Sequence, residues 1–90
     1  MRIIFDPGKD GINLEKHGVR LETAVKLNWD SALIWRDFRR DYGEPRKCAL
    51  APLDDRLYFV AYVDRDDCRR IISLRKANNR EVRFYCVHAN

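Results

Sequence analysis

The basic residues of this chain are concentrated at its C-terminal end. Residues 69 to 90 contain six Arg or Lys and one acidic residue, Glu81, whereas the whole chain has 18 basic and 14 acidic residues and a net charge of +4. A segregated patch of one charge sign is typical of a protein that binds a polyanion or an acidic partner. The alternative is a solvated basic face that has no ligand.

Two arginines in this region have a spacing that suits phosphate binding. Period-two alternation in a strand over Arg69–Arg75 places Arg69, Ile71, Ser73 and Arg75 on one face. Arg80 then lies in the first turn of a helix, where it opposes the helix dipole at a cost of roughly 0.3–1 kcal/mol, but where free amides can bind a phosphate. We therefore expect an anion site at Arg75 and Arg80. The alternative is that both pair with carboxylates, such as Glu81 or Asp6.

A second set of polar residues lies on the first predicted helix. At about 100° per residue, one helix face carries two ammonium groups, an amide and an imidazole. These are Lys9, Asn13, Lys16 and His17. We expect this face to point outward and the opposite face, with Gly11, Leu14 and Gly18, to pack on a sheet. The alternative is an ordinary solvated helix face, and a lone histidine is more often structural than catalytic.

Aromatic residues offer a third kind of chemistry, because rings beside a basic face can stack on unpaired bases. The set considered is Trp29, Trp35, Phe38, Tyr42, Tyr58 and Tyr62. In so short a chain such rings are more often core residues. Trp35 is the best candidate for an exposed role, because it neighbours Arg36 and the pair Arg39-Arg40.

Several classes of function find no support in the sequence. The three cysteines include no Cys-x-x-Cys pair and the chain has two histidines, so we expect no zinc site. Gly-rich phosphate loops and the hydrolase motifs are absent, so we expect no cofactor. The longest apolar run, Leu57–Val63, is far shorter than the ~20 residues that cross a bilayer. Together with the free thiols and the lack of a secretory signal, this predicts a cytoplasmic protein with no membrane partner.

Turn and capping residues divide the chain into eight predicted elements. Strands are predicted at Arg2–Phe5, Ser31–Phe38, Arg46–Leu53, Arg56–Val63 and Arg69–Arg75, and helices at Pro7–His17, at Glu22–Asn28 and after Asn78. Asp6 is expected to cap the first helix and Gly18 to end it in the left-handed conformation. Asn78 and Glu81 have the spacing of a capping box.

The order of these elements predicts one domain over residues 1–90 with an α+β fold. The short connections favour a curled, mainly antiparallel sheet with N-terminal helices and one C-terminal helix, in the order β-α-α-β-β-β-β-α. The run Leu57–Val63 does not alternate, so we expect it to be a central strand covered on both faces.

Three ordered groups of residues resemble the BrnT family, small toxins of type II toxin–antitoxin systems. The matching positions are Asp6-Pro7-Gly8-Lys9, Asn13, Lys16-His17-Gly18-Val19 and Ala24, then Asp41-Tyr42-Gly43-Glu44 and Arg46, and finally Arg70-Ile71-Ile72-Ser73, Arg75, Ala77, Glu81 and Tyr85. They span nearly the whole chain. Phe5 departs from the pattern, since the family usually has Trp before the Asp.

The resemblance implies a RelE-like ribonuclease fold and metal-independent RNA cleavage that arrests translation. It also implies a BrnA-like ribbon-helix-helix antitoxin, with which we expect a heterotetramer of two toxins and two antitoxins that binds operator DNA only through the antitoxin. With this function, we expect the catalytic residues to be Arg75, Arg80, His17, Glu81 and Lys9, and the RNA-binding residues to be Lys16, Asn13, Arg46, Arg69 and Lys76. The alternative function is a non-catalytic basic module that binds RNA or an acidic protein.

Overall fold

The computed structural model describes residues 1–89, which fold into a five-stranded sheet with helices on both sides. The strands are β1 (Arg2–Ile4), β2 (Leu33–Arg36), β3 (Lys47–Leu53), β4 (Arg56–Arg65) and β5 (Cys68–Lys76). The α-helices are α1 (Pro7–His17) and α2 (Asn79–His88), and two 3₁₀ helices cover Leu21–Lys26 and Trp29–Ser31. The α+β class is confirmed, and the RelE-like topology stays a prediction.

The sheet has the strand order β1-β5-β4-β3-β2 and is mostly antiparallel, as predicted. Only β1 runs parallel to its neighbour, β5. Two-residue turns join β3 to β4 and β4 to β5, and each places an aspartate, Asp54 or Asp66, at a positive φ that this residue type tolerates better than most. β4 is the central strand, with Val60 and Tyr62 buried on one face and Ala61 and Val63 on the other.

The hydrophobic core lies on one side of the sheet, which we call the core face. Its buried residues from the sheet are Ala49, Ala51, Val60, Tyr62, Ile71 and Leu74, and those from the segment after α1 are Val19, Leu21, Ala24 and Leu27. The predicted α-helix over Glu22–Asn28 is wrong, because this segment is 3₁₀. With three residues per turn, Leu21, Ala24 and Leu27 align toward the core and Val25 is left exposed.

The predicted strand over Ser31–Phe38 is too long at both ends. Its first residue belongs to the 3₁₀ helix Trp29–Ser31, where the Asn28 side chain accepts a hydrogen bond from the Ser31 amide. At the other end, the Asp37 carboxylate accepts a hydrogen bond from the backbone amide of Arg39 at 3.0 Å, which turns the chain out of the sheet. Only Leu33–Arg36 pairs with β3.

α1 has the predicted bounds and caps, but it does not present Asn13 to solvent. Asn13 is 5% exposed, and both hydrogens of its amide are donated to backbone carbonyls, those of Val19 and Leu74, at 2.8 Å each. Its Oδ1 accepts the Leu74 amide at 3.2 Å. β1 pairs only with Cys68–Arg70 of β5, so the backbone groups further along this edge of β5 have no strand partner. Asn13 provides the hydrogen bonds for those of Leu74. The prediction that Asn13 faces outward is therefore wrong.

Candidate active site

The start of α2 fixes the position of one carboxylate at the side of the sheet opposite the core, which we call the second face. The predicted capping box is present, because the Asn78 side chain accepts a hydrogen bond from the Glu81 amide at 2.8 Å and Glu81 accepts one from the Asn78 amide at 2.9 Å. The same carboxylate accepts two hydrogen bonds from Arg75, both at 2.8 Å. Glu81 thus links the helix start to the end of β5.

Arg75 is held in place by this pair and by an aromatic ring. Its guanidinium lies 4.3 Å from the centre of the Phe59 ring, which belongs to the residue directly opposite on β4. The side chain remains 34% exposed, so one side of the guanidinium is open to a ligand. Trp35 lies beside Phe59, with 6.0 Å between the ring centres. The predicted cation at Arg75 therefore sits on an aromatic surface of the second face.

Arg75 and Glu81 each stabilise the charged form of the other. The hydrogen bonds from Arg75 lower the pKa of Glu81, against the opposing effect of burial, and those to Glu81 raise the pKa of Arg75. Both groups are consequently charged at neutral pH. The alternative considered from the sequence, that Arg75 pairs with a carboxylate such as Glu81, is therefore correct. The pair lies at an open surface, however, so the guanidinium remains accessible.

A second charged cluster lies on the loop between β2 and β3. Asp37 has a side chain only 2% exposed, and it accepts hydrogen bonds from the Arg39 guanidinium and from the Tyr42 hydroxyl at 2.9 Å each. The hydrogen bonds from Arg39 keep the pKa of Asp37 well below its usual range. The guanidinium of Arg46 in turn lies over the Tyr42 ring, 3.8 Å from the ring centre. One buried carboxylate therefore organises this part of the loop.

The two clusters flank the buried thiol of Cys48. Burial raises the pKa of this thiol, and the charges of Asp37, Arg39, Arg46 and Arg75 all act on it. Cys48 is thus an un-ionised residue beneath the second face, between the loop and Arg75. Cys48 and Phe59, the ring under Arg75, line one cleft together with Asp37 and Arg39.

His17 is the last residue of α1, and its side chain is partly buried. Burial lowers the pKa of His17, and the nearby positive charges of Lys16 and Arg75 lower it further. An imidazole with a lowered pKa is neutral at pH 7 and can accept a proton. Lys16 is exposed on the same helix turn, whereas Lys9 lies in the exposed first turn of α1.

The remaining predicted site residues divide between the two sides of the sheet. Arg80 is exposed beside Glu81, and Lys76 is exposed at the end of β5. Arg69 lies on the core face, where it stacks on Trp29 and Tyr62 at 4.4 and 4.5 Å. It also forms an ion pair with Asp64 at 2.8 Å.

The prediction that Arg69 and Arg75 share a face is wrong. The register between β4 and β5 shifts at Ala61/Tyr62, so that Ala61 pairs with Ser73 and Tyr62 pairs with Ile71. The additional residue, Ile72, reverses the alternation. Arg69 and Ile71 therefore face the core, whereas Ser73 and Arg75 lie on the second face.

The basic excess of the C-terminal quarter is also partly neutralised. Besides the ion pairs of Arg69 and Arg75, Arg70 pairs with Glu44 at 2.9 Å.

Sequence reasoning gave Asp37, Arg39 and Phe59 no role at the site. The Asp-x-Arg spacing of Asp37 and Arg39 is a weak signal for their local pair, but the position of Phe59 under Arg75 depends on strand register.

Within residues 1–89, no three His, Cys, Asp or Glu side chains gather closely enough to hold a metal ion. The same described part of the chain has no helix long and apolar enough to cross a membrane.

Comparison with known families identifies the family to which this chain belongs. Residues 5–81 match the model of a family described as the ribonuclease toxin BrnT of type II toxin–antitoxin systems. The chain belongs to the BrnT family. The match includes both Arg75 and Glu81 and ends in the first turn of α2. None of the curated proteins compared with the chain matches it significantly. The BrnT family is one of ribonucleases, and its membership of toxin–antitoxin systems implies an antitoxin partner.

Proposed function

We propose that this BrnT-family chain cleaves RNA without a metal ion, at the second face around Arg75. In this reaction the ribose 2′-oxygen attacks the adjacent phosphorus, the bond to the 5′-oxygen breaks, and the products carry a 2′,3′-cyclic phosphate and a 5′-hydroxyl. The step needs a base for the 2′-hydroxyl proton, positive charge at the five-coordinate phosphorus, and an acid for the leaving oxygen. The observation that supports the proposal most is the partly exposed guanidinium of Arg75, which is held by two hydrogen bonds to Glu81 and lies over the Phe59 ring.

Arg75 is the phosphate-binding group in this proposal, and Glu81 is its positioning residue. A guanidinium fixed by two hydrogen bonds and an aromatic ring is preorganised, so it loses little conformational freedom when it binds phosphate. Arg80, one residue before Glu81, adds a second exposed positive charge. Lys9 and Lys16 supply further positive charge from α1.

Proton transfer is assigned to His17, with Glu81 as the competing group. His17 has a lowered pKa and is therefore neutral at pH 7, so it can accept the 2′-hydroxyl proton. Glu81 is ionised, but its lowered pKa makes it a weaker base, and both oxygens already accept hydrogen bonds from Arg75.

The proposed partner is a ribbon-helix-helix antitoxin of the BrnA type. Because ribbon-helix-helix proteins dimerise, the complex would contain two toxins and two antitoxins, and only the antitoxin would contact operator DNA. The free thiols of Cys48, Cys68 and Cys86 fit a cytoplasmic location.

The experiment is a cleavage assay with purified protein and RNA in the presence of EDTA. We expect cleavage with cyclic-phosphate ends, and we expect Arg75→Ala to lower the rate by about 10²–10³, the typical effect of losing one preorganised donor. Lys26→Ala, which removes an exposed lysine from the helical layer of the core face, is the matched control and should keep the wild-type rate. Binding of RNA without cleavage would support the non-catalytic module, and full activity of Arg75→Ala would remove Arg75 from the site.

A further inference from the structure

The loop between β2 and β3 carries exposed cations and rings that the cleavage site does not use. Phe38 is 76% exposed, and Arg36 lies over it with 4.8 Å between the guanidinium and the ring centre. Arg40 lies 5.9 Å from the ring centre of Tyr42 and is also exposed. Phe38 therefore presents an open aromatic face, on which a planar base can stack.

The charge of this loop favours an anionic ligand. Among residues 1–89, Arg36, Arg40 and Arg46 form no ion pair with a carboxylate, whereas Arg39 is paired with Asp37. The loop also carries Asp41, which forms no ion pair within the same residues either, so the unpaired charges beside the two aromatic rings are three guanidinium groups and one carboxylate. Phosphates and planar bases together satisfy this combination, and an acidic peptide would leave the rings without a stacking partner.

The loop is continuous with the proposed cleavage site. A shallow cleft of about 460 Å³ is lined by Trp35, Phe38, Cys48 and Phe59, among others. Phe59 is the ring beneath Arg75, so the cleft leads from the phosphate-binding arginine to the exposed Phe38. Trp35, 37% exposed, lies between them as a second stacking surface.

We propose that this cleft and loop form a subsite for the unpaired nucleotides that flank the cleaved phosphate, in which Trp35 and Phe38 stack on bases and Arg36, Arg40 and Arg46 bind phosphates. This inference rests on the proposed ribonuclease function. The RNA it takes is single-stranded, because a base inside a duplex cannot present its face to a ring. Asp37 supports the subsite by holding Tyr42, and through it Arg46, in position.

The test uses short random-sequence 2′-O-methyl oligoribonucleotides, which bind but cannot be cleaved because they lack the 2′-hydroxyl. We expect Phe38→Ala and Trp35→Ala each to weaken binding by roughly 5- to 150-fold, which corresponds to ~1–3 kcal/mol per stacked base. Val25→Ala, at an exposed apolar residue of the core-face layer, is the matched control and should bind like wild type.

Salt dependence tests the arginines separately. For single strands the slope of log K against log salt is about −0.7 per phosphate contact, so Arg36→Ala and Arg40→Ala should each reduce its magnitude by about 0.7. Lys26→Ala should leave the slope unchanged.

The outcomes distinguish the subsite from the function on which it rests. If the wild-type protein fails to bind the oligonucleotides and fails to cleave RNA, the ribonuclease proposal and the subsite both fall. If the wild type binds and Phe38→Ala, Trp35→Ala and both arginine variants bind equally well, only the subsite is wrong. Unchanged RNA binding with weakened antitoxin binding in the same variants would identify the loop as a protein-docking surface and overturn the proposal.

Discussion

At the scale of single residues, the site depends on how one carboxylate is shared. Glu81 completes the capping box with Asn78 and at the same time holds Arg75 through two hydrogen bonds. Such a charge-assisted, bidentate pair fixes both the position and the plane of the guanidinium. His17 differs from Glu81, since its pKa is lowered by burial and by neighbouring positive charge rather than by a hydrogen-bonding partner.

The pH dependence of cleavage tests the role of His17. Only the neutral imidazole accepts a proton, so the rate should be low in acid, rise with pH and level off, with a midpoint below 6.5. Lys16→Met removes a positive charge that lowers this pKa, so the midpoint should move upward in a pH–rate series. His17→Gln should abolish the inflection and lower the rate by about 10²–10⁴. If His17→Gln keeps the wild-type pH profile, Glu81 or another group accepts the proton instead of His17.

At the scale of elements, α2 and β5 must each be fixed for Arg75 and Glu81 to meet. The capping box sets the start of α2, and the amide of Asn13 sets the open edge of β5 at Leu74, one residue before Arg75. Neither Asn78 nor Asn13 is a reacting group in the proposed cleavage. Substitution of Asn78 or Asn13 can therefore disturb α2 or β5 without removing any charged residue of the site.

Asn78→Ala should reduce stability by about 0.5–2 kcal/mol, because it removes the acceptor for the Glu81 amide. We expect the cleavage rate to fall as well, because Glu81 loses one of the contacts that fix it for Arg75. Urea unfolding and RNA cleavage measure the two effects. Asn79→Ala, at the next residue, is the control and should remain within about 0.5 kcal/mol of wild type. Equal stability of the two variants would contradict a role for the capping box.

Asn13→Ala should be more severe, costing about 2–4 kcal/mol, because it leaves the buried backbone groups of Leu74 and the carbonyl of Val19 without their hydrogen-bonding partner. That is a large fraction of the stability of a domain of this size. Thermal or urea unfolding gives the value. Glu15→Ala, on the exposed face of the same helix, provides the comparison and should be nearly neutral. A small effect at Asn13 would show that water replaces its amide.

At the scale of the whole molecule, the two faces of the sheet differ in how many apolar side chains they bury. The core face is closed by the segment after α1, whereas the second face buries fewer apolar side chains, among them Leu50, Ala61 and Val63, and α2 has no buried residue. Val82, Phe84 and Val87 are exposed on α2. Most of the buried apolar side chains of residues 1–89 thus lie on one side of the sheet.

Antitoxin binding should therefore have a large effect on thermal unfolding. At an antitoxin concentration of about 100 Kd, a partner that binds only the folded toxin adds ~2.7 kcal/mol, which for a domain of this size corresponds to roughly 10–20 °C in Tm. Differential scanning fluorimetry of the toxin alone and with increasing amounts of the neighbouring gene product measures the shift. An unrelated ribbon-helix-helix protein is the control, and an unchanged Tm with the cognate protein would rule out binding to the folded chain.

Much of the local structure could be predicted from the sequence, although the 3₁₀ helix Leu21–Lys26 and the ends of β2 could not. Pro7–His17, the left-handed Gly18 and the capping box of Asn78 and Glu81 were predictable, because caps and turns depend on residues within one helical turn of each other. The family was recognisable from ordered local groups, and the family match over residues 5–81 confirms it.

Which side chains share a surface depends on contacts between residues that are far apart in the sequence. The register shift at Ala61/Tyr62 separates Arg69 from Arg75, and the open edge of β5 draws Asn13 inward. Phe59 meets Arg75 only because β4 and β5 pair in that register. The physical reason is that a strand's faces alternate with every residue, so one additional residue moves a side chain to the other face. No pattern within the strand itself reports where its partner shifts.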